Sequence, residues 1–341
     1  MQSQNRTFPI RPLAIAFLLV LTMPLFCGAQ EQQNQQEDQL PTFRANVNVV
    51  NLFFNVKNKK GLLIPDLTKN DFQVLEDGKP QTIKYFATES NQPLTLGILI
   101  DSSASQERVL EFEKEVGSSF LHNILKPKDL AFVISFDVTV DLLQDFTNSP
   151  RELSQALDRA KINTGGSGGG LPGMGGGPFP TTSTPKGTLL YDGIYLAAHD
   201  KLASEVGRKA MIVLTDGEDQ GSQLKIRDAI ESAQKADAMC YVILIADRGF
   251  YGGGYGGDRE MRKLTEETGG RTIEASNKPE KLRAAFDQIA AELRSQYSIG
   301  YTPSNAKLDG SFRKVEIVAK DKDYRIQARK GYYALKQQVG D

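Results

Sequence analysis

The chain is poor in residues that carry much of enzyme chemistry, with two histidines, two cysteines and no tryptophan among its 341 residues. Its charge is nearly balanced, because 41 lysines and arginines face 42 acidic residues and the formal net charge is −1. Without a basic excess, no long-range field attracts nucleic acid or an anionic membrane surface. We therefore expect no nucleic-acid partner. The 40% hydrophobic and 24% charged contents are those of an ordinary globular protein with a sizeable core.

The N-terminus is typical of an exported protein. Two arginines precede an almost uninterrupted apolar stretch from Pro12 to Phe26, and polar residues follow Ala29. This pattern predicts a secretory signal peptide over residues 1–29, since about 15 apolar residues are fewer than the roughly 20 of a spanning helix. Cleavage after Ala29 leads to the periplasm or the extracellular space. The alternative is a lipoprotein signal acylated at Cys27, which would give a membrane anchor, although Phe26 occupies a position where such signals have a small residue.

Cysteine is scarce in the mature chain as well. If cleavage follows Ala29, only Cys240 remains, so no internal disulfide can form and the fold must rest on its core. Cys240 opens an apolar run and is expected to be a small buried hydrophobic residue. Residues 30–41 are rich in Gln and Glu without apolar periodicity, and we expect a disordered leader there.

The two flanks of the chain carry strand patterns. Residues 42–90 contain short β-branched and aromatic runs separated by turns at Lys60-Gly61 and Asp77-Gly78, which predicts strands joined by hairpins. Residues 296–335 return to the same pattern, with too few strands for a stable sheet alone. We expect both ends to form one small β-sandwich; separate N-terminal and C-terminal units are the alternative.

Residues 93–295 alternate strand and helix patterns, which predicts a doubly wound α/β domain with a mostly parallel sheet. Buried strands are expected near residues 94–100, 130–136, 211–214 and 240–245, with an antiparallel edge strand over 138–146. After the first strand, apolar residues recur at helical spacing, which predicts a helix; they are Val109, Phe112, Val116, Phe120 and Ile124. Other helices are predicted to begin at a Ser149 capping box with Pro150, at a Ser222 cap with an end near Ala238, and at Lys278-Pro279 with an end near Gln296.

Two glycine-rich stretches interrupt this region, at residues 163–186 and 250–257. Neither matches a phosphate-binding loop, because no Gly-x-x-x-x-Gly-Lys-Ser/Thr occurs. The first is expected to be a flexible insertion. The second contains Tyr251 and Tyr255, which favour a contact surface because tyrosine provides contact area at small entropic cost.

Oxygen-bearing side chains follow the predicted buried strands. Asp101, Ser103 and Ser105 come directly after the first, Asp216 follows another, and Thr188 lies between them at a loop-to-helix junction. Ligands of open α/β sheets gather beyond the carboxyl ends of the strands. Two carboxylates with three hydroxyls suit Mg²⁺ first, then Mn²⁺ or Ca²⁺, and do not suit zinc. Alternatively, Asp101 and the serines merely cap a helix beginning near Gln106.

The order Asp101-x-Ser103-x-Ser105, then Thr188, then Thr215-Asp216-Gly217 resembles the complete metal-ion-dependent adhesion site of the von Willebrand factor A-type domain. The flanks also resemble secreted bacterial proteins built around this domain, through the upstream segment of residues 67–78. The resemblance implies a bound cation with one open position that accepts a carboxylate from a partner protein, and hence adhesion or assembly by an exported bacterial protein.

An enzyme is the competing interpretation, namely a magnesium-dependent hydrolase or phosphotransferase. The sequence offers no clear general base or nucleophile for it, because His122 and His199 each lie within a predicted helix and no Ser-His-Asp set or Gly-x-Ser-x-Gly elbow is present. A dinucleotide-binding fold is excluded by the absence of Gly-x-Gly-x-x-Gly after the first α/β strand. We therefore predict no enzymatic activity. Three further acids either orient the metal ligands or are solvated: Asp192, Glu218 and Asp219.

Overall fold

The computed structural model describes residues 49–88, 92–162, 187–245, 256–276 and 278–335. The predicted signal peptide and leader lie outside the described residues, as do the first glycine-rich stretch and residues 250–255 of the second.

The described residues form fourteen strands and six α-helices. The strands are β1 (Val50–Lys57), β2 (Phe72–Glu76), β3 (Lys79–Gln81), β4 (Ile83–Thr88), β5 (Leu94–Asp101), β6 (Leu130–Phe136), β7 (Val140–Thr147), β8 (Arg208–Thr215), β9 (Ala238–Ile245), β10 (Thr272–Ala275), β11 (Tyr297–Tyr301), β12 (Phe312–Ala319), β13 (Arg325–Ala328) and β14 (Gly331–Tyr333). The helices are α1 (Leu110–Ile124), α2 (Pro150–Arg159), α3 (Leu190–Leu196), α4 (Ile226–Lys235), α5 (Gly256–Thr268) and α6 (Pro279–Arg294).

The central sheet has six strands in the order β10-β9-β8-β5-β6-β7. All neighbouring pairs are parallel except β6 with β7, so the predicted antiparallel edge strand is confirmed. Every residue of β5, β8 and β9 is buried, as expected for strands covered on both faces. One face packs against α1, α2 and α6, and the other against α3, α4 and α5. The predicted doubly wound α/β fold is confirmed.

The flanking segments form two four-stranded sheets, in the orders β13-β1-β11-β4 and β14-β12-β2-β3. Strands from the two ends of the chain pair in both sheets, since β1 pairs with β11 and β13, and β2 pairs with β12. The two sheets share one apolar core, in which the rings of Phe54 and Phe72 meet edge to face at 5.1 Å. The tail strands thus pair with the N-terminal strands, as predicted; the domain boundaries drawn from the sequence stay a prediction.

A buried acid fastens α6 to the flanking strands. The Glu292 carboxylate accepts hydrogen bonds from Lys57 Nζ at 2.7 Å, Arg271 Nη1 at 3.0 Å and Gln327 Nε2 at 3.0 Å. The Glu292 carbonyl accepts another from Asn55 Nδ2 at 2.8 Å. Asn55 and Lys57 lie in β1 and Gln327 lies in β13, so these contacts join the last helix of the α/β region to the first flanking sheet.

The helix predictions were correct in part. Ser149 caps α2 with its hydroxyl, which accepts from Glu152 N. Ser222 does not cap the next helix, because α4 begins at Ile226 and the Ser222 hydroxyl is used elsewhere. That helix also ends before Ala238, since Asp237 adopts a positive φ of 55° and closes it.

On α1, Phe112 is 40% exposed although it belongs to the apolar spacing of this helix, whereas Glu113 is fully buried. None of the described helices combines the length and apolar character needed to cross a membrane.

Candidate metal centre

The candidate site lies where two central strands end together. β5 and β8 are parallel neighbours with Ile100 opposite Leu214, so Asp101 and the Thr215-Asp216 pair leave the sheet at the same edge. Both strands are buried along their whole length, which gives the site an apolar floor. Charges at such an edge are weakly screened by water.

Asp101 is fully buried and held by two hydrogen bonds. Its Oδ1 accepts from Ser103 N at 3.0 Å, and its Oδ2 accepts from Thr215 Oγ1 at 2.7 Å. The Thr215 hydroxyl in turn accepts from Gly217 N at 3.0 Å. Thr215 therefore fixes both the carboxylate and the loop carrying Asp216, a role that sequence reasoning missed.

The two carboxylates of the site act on each other. Burial, and then the negative charge of Asp216, raise the pKa of Asp101 to about 7, although the hydrogen bonds from Ser103 and Thr215 oppose this shift. Asp216 is partly exposed, and its Oδ1 accepts from Glu218 N at 3.1 Å. Two acids placed this way favour a cation between them, since like charges at short range destabilise each other.

Ser103 and Ser105 lie together in the loop after Asp101, with their hydroxyl oxygens 3.0 Å apart. Ser103 is buried and Ser105 is exposed. Ser103 precedes a short 3₁₀ turn, Ala104–Gln106, without a capping hydrogen bond from its side chain, and α1 begins only at Leu110. The simple helix-cap interpretation is therefore not supported, and the hydroxyls remain oriented by each other.

Thr188 is buried in the loop before α3. Its carbonyl accepts from Gln220 N at 3.1 Å, which joins it to the loop after Asp216. The next residue, Leu189, donates its N–H to Asp137 O at 2.7 Å. The structure thus connects Thr188 to the Asp216 loop through the main chain.

Asp137 is a further buried acid at this edge, and the sequence reasoning did not select it. It follows β6 directly, and its Oδ2 accepts from Ser102 Oγ at 3.1 Å while its Oδ1 accepts from Thr139 N at 2.9 Å. Through these hydrogen bonds, Asp137 joins the loop after β5 to the loop after β6. The sequence signal that could have identified Asp137 is an aspartate directly after an apolar strand.

Asp192 and Asp219 join the start of α3 to the loop after β8. Asp192 accepts from Gln223 N and Leu224 N, and Asp219 accepts from Tyr191 N at 3.2 Å. Ser222 Oγ also accepts from Tyr191 N, at 3.1 Å, so the start of α3 is capped from the loop after β8. These acids are not merely solvated: they orient the segments that carry Thr188 and Asp216. The third acid, Glu218, bonds to Gln220 Nε2.

The Asp216 loop is also packed tightly from α5. Gly217 has φ +87°, and a Cβ on Gly257 would lie only 2.0 Å from Gly217 O. The start of α5 therefore approaches the loop at backbone contact, and only glycine fits at residue 257.

The donor set matches a hard divalent cation. Among the described residues, no group of three or more His, Cys, Asp or Glu side chains is placed to hold an ion, so the hydroxyls of Ser103, Ser105 and Thr188 would be needed beside Asp101 and Asp216. Carboxylate and hydroxyl oxygens are ligands of Mg²⁺, Mn²⁺ and Ca²⁺. Both histidines are exposed, His122 near the end of α1 and His199 stacked on Tyr195.

No protein-family model matches the chain, and no curated protein matches it. Solved structures do resemble it. Its structural neighbours are von Willebrand factor A-type domain proteins. The conserved hypothetical protein BatB from Bacteroides thetaiotaomicron is 18% identical, with 59% of this chain and 97% of that chain covered and a TM-score of 0.41.

The vWF domain of the type V pili tip protein Mfa5 from Porphyromonas gingivalis is 14% identical, with 60% of this chain and 95% of that chain covered and a TM-score of 0.42. Proximal thread matrix protein 1 from the mussel byssus, solved with a zinc-occupied MIDAS motif, is 15% identical. The match covers 63% of this chain and 48% of that chain, with a TM-score of 0.47. This chain thus spans about half of the byssus protein. The chemistry of the site rests on the residues described above.

Proposed function

We propose that the protein is an exported module that binds a divalent cation and, through it, an acidic side chain of another protein. The observation that carries this proposal is the pairing of Asp101 with Asp216 at the ends of adjacent strands. Burial and a second carboxylate raise the pKa of Asp101, so the metal-free site holds more negative charge than it favours. A divalent cation would relieve that repulsion.

The ligands in this proposal are the carboxylates of Asp101 and Asp216 and the hydroxyls of Ser103, Ser105 and Thr188. Magnesium is the first choice, with Mn²⁺ and Ca²⁺ next, because all donors are hard oxygens. Two carboxylates balance a divalent cation, so an open position still attracts an anionic oxygen. The exposed Ser105 and partly exposed Asp216 mark the side from which a partner's Asp or Glu would approach.

We propose adhesion or assembly rather than catalysis. A hydrolase would need a general base near the ion, and both histidines are exposed on helical segments. The export of the protein, to the periplasm or beyond, is proposed from the signal-peptide pattern of residues 1–29. Membrane attachment would follow only if Cys27 is acylated.

Calorimetric titration tests the metal site. Mg²⁺, Mn²⁺, Ca²⁺ and Zn²⁺ are added separately to the metal-stripped chain beginning at Gln30, beside Asp216→Asn and the control Asp200→Asn, an exposed acid paired with His199. We expect one ion per chain in the wild type and in the control, and at least tenfold weaker binding in Asp216→Asn. A wild-type chain that binds none of these ions would overturn the proposal.

Peptide arrays test the partner chemistry. Peptides with a central Asp or Glu are compared with matched Asn or Gln peptides, in Mg²⁺ and in EDTA. We expect binding only to the acidic peptides and only with the metal. Nucleotide or ester turnover that disappears in Asp101→Ala would instead favour the hydrolase.

A further inference from the structure

Glu113 is a buried acid that the fold leaves without a hydrogen bond. It lies in the first turn of α1 and is 0% exposed. Among the described residues, neither of its carboxylate oxygens has a hydrogen-bond partner. A buried polar group without a partner costs free energy, and a buried charge costs more, so its position calls for a physical reason.

The surroundings of Glu113 point towards the metal centre. A helical side chain leans towards the N-terminus of its helix, which for Glu113 is the side of the loop after Asp101. Burial, and then the charges of Asp101 and Asp216, raise the pKa of Glu113 well above its usual range. The adjacent Lys114 does not compensate, because its ammonium pairs with Glu111 at 2.8 Å.

Gln106 supplies a second unpartnered oxygen in this region. It ends the 3₁₀ turn after Ser105 and is buried, and its Oε1 has no hydrogen-bond partner among the described residues. Gln106 directly follows Ser105, and Glu113 lies in the first turn of α1, so the two buried side chains flank the short segment that leads from the Asp101 loop into α1. Both unpartnered groups can accept hydrogen bonds, so a donor is what this region lacks.

We infer that Glu113 is the third carboxylate of the metal centre and acts through a water molecule bound to the ion. This inference rests on the proposed function. Direct ligation does not fit, because no three acidic, histidine or cysteine side chains among the described residues can hold one ion together. Mg²⁺ retains several of its waters in proteins, and a cation-bound water offers two donor hydrogens. The Glu113 carboxylate and the Gln106 carbonyl are acceptors suited to them.

Glu113→Gln tests the inference, because it removes the charge and nearly keeps the shape. The matched control is Glu115→Gln on the same helix, where the side chain is 73% exposed. Melting temperatures are measured without metal and at fixed Mg²⁺, and the Kd for Mg²⁺ and Mn²⁺ by calorimetry. Without metal, we expect Glu113→Gln to melt at or above the wild-type temperature. We expect it to bind both ions at least tenfold more weakly, and Mg²⁺ should raise its melting temperature by less than it raises that of the wild type. Glu115→Gln should match the wild type.

If Glu113 has a purely structural role, Glu113→Gln shifts the melting temperatures without metal and with Mg²⁺ by the same amount and leaves the Kd unchanged. That result would overturn the inference. If Glu113→Gln does not fold, Glu113→Leu places an apolar side chain in the buried position, and the same weakening of Mg²⁺ binding is expected. Wild-type binding with unchanged variants defeats this inference alone. A wild type without metal binding defeats the proposed function, and the inference with it.

Discussion

At the scale of single residues, Asp101 links protonation to metal binding. Burial and then the charge of Asp216 raise its pKa to about 7, well above the ordinary value for an aspartate of 3.8. The metal-free folded state therefore binds more protons than the unfolded state between these values. The resulting stability is present at low pH and is lost as pH rises through about 7.

We predict that Asp101→Asn, which cannot ionise, is stabilised relative to the metal-free wild type more at pH 8 than at pH 5. The difference should be roughly 2 kcal/mol or more, since each pKa unit corresponds to about 1.4 kcal/mol. Urea denaturation in EDTA at both pH values measures it. A difference between the two proteins that does not change with pH contradicts the prediction.

The individual ligands could be proposed from the sequence because a polar residue after an apolar strand falls at the sheet edge. The roles and residues that were missed depend on partners far away in the chain or on packing. Thr215 matters through its bond to Asp101, which is 114 residues away. Glu113 could not be selected from the sequence, because it lies next to an apolar residue of the helical spacing, Phe112, and only the packing of α1 shows which of the two side chains is buried.

At the scale of elements, α3 is positioned from outside its own segment. Leu189 at its N-cap makes no side-chain bond, and the start of the helix instead donates to Ser222 and Asp219 in the loop after β8. The sequence placed Ser222 at the following helix because serine is a common cap and an apolar pattern comes next. The tertiary fold uses it for the preceding helix.

We predict that Ser222→Ala destabilises the protein by about 1 kcal/mol, the usual cost of a lost cap. Because α3 follows Thr188 closely, the same change should also weaken Mg²⁺ binding several-fold. Chemical denaturation and calorimetry measure the two effects. The control Ser204→Ala changes an exposed serine and should alter neither. Loss of stability with unchanged Mg²⁺ affinity would separate the cap from the metal centre.

Helix α6 shows how the α/β region is joined to the flanking sheets. Glu292 meets Lys57 from β1, Arg271 before β10 and Gln327 from β13. We predict that Glu292→Ala lowers the free energy of unfolding by roughly 3 kcal/mol, because two partly buried cations lose their acid. Asp287→Ala on the same helix removes an exposed acid and should change little. Denaturation curves of the two variants test this, and equal curves would contradict it.

At the scale of the whole molecule, the strand order makes the flanking sheets depend on both ends of the chain. The sequence predicted this because residues 296–335 contain too few strands for a stable sheet alone. It could not give the register, such as Val50 opposite Tyr301, because cross-strand partners are more than 200 residues apart. The hydrogen bonds from Tyr301 and Tyr332 to the buried Glu76 carboxylate likewise required the assembled core.

We predict that ending the chain after Tyr301 destroys the flanking sheets. The truncation removes β12, β13 and β14, so β1 loses one neighbour, β2 loses its partner β12, and apolar residues of the shared core become exposed. Exposed apolar surface and unpaired strand edges favour aggregation. A chain ending after Leu335 keeps every described strand and serves as the control. We expect the shorter chain to be insoluble or to lose its cooperative thermal transition, as measured by circular dichroism. A soluble chain that melts as cooperatively as the control would mean that the two ends do not form one folding unit.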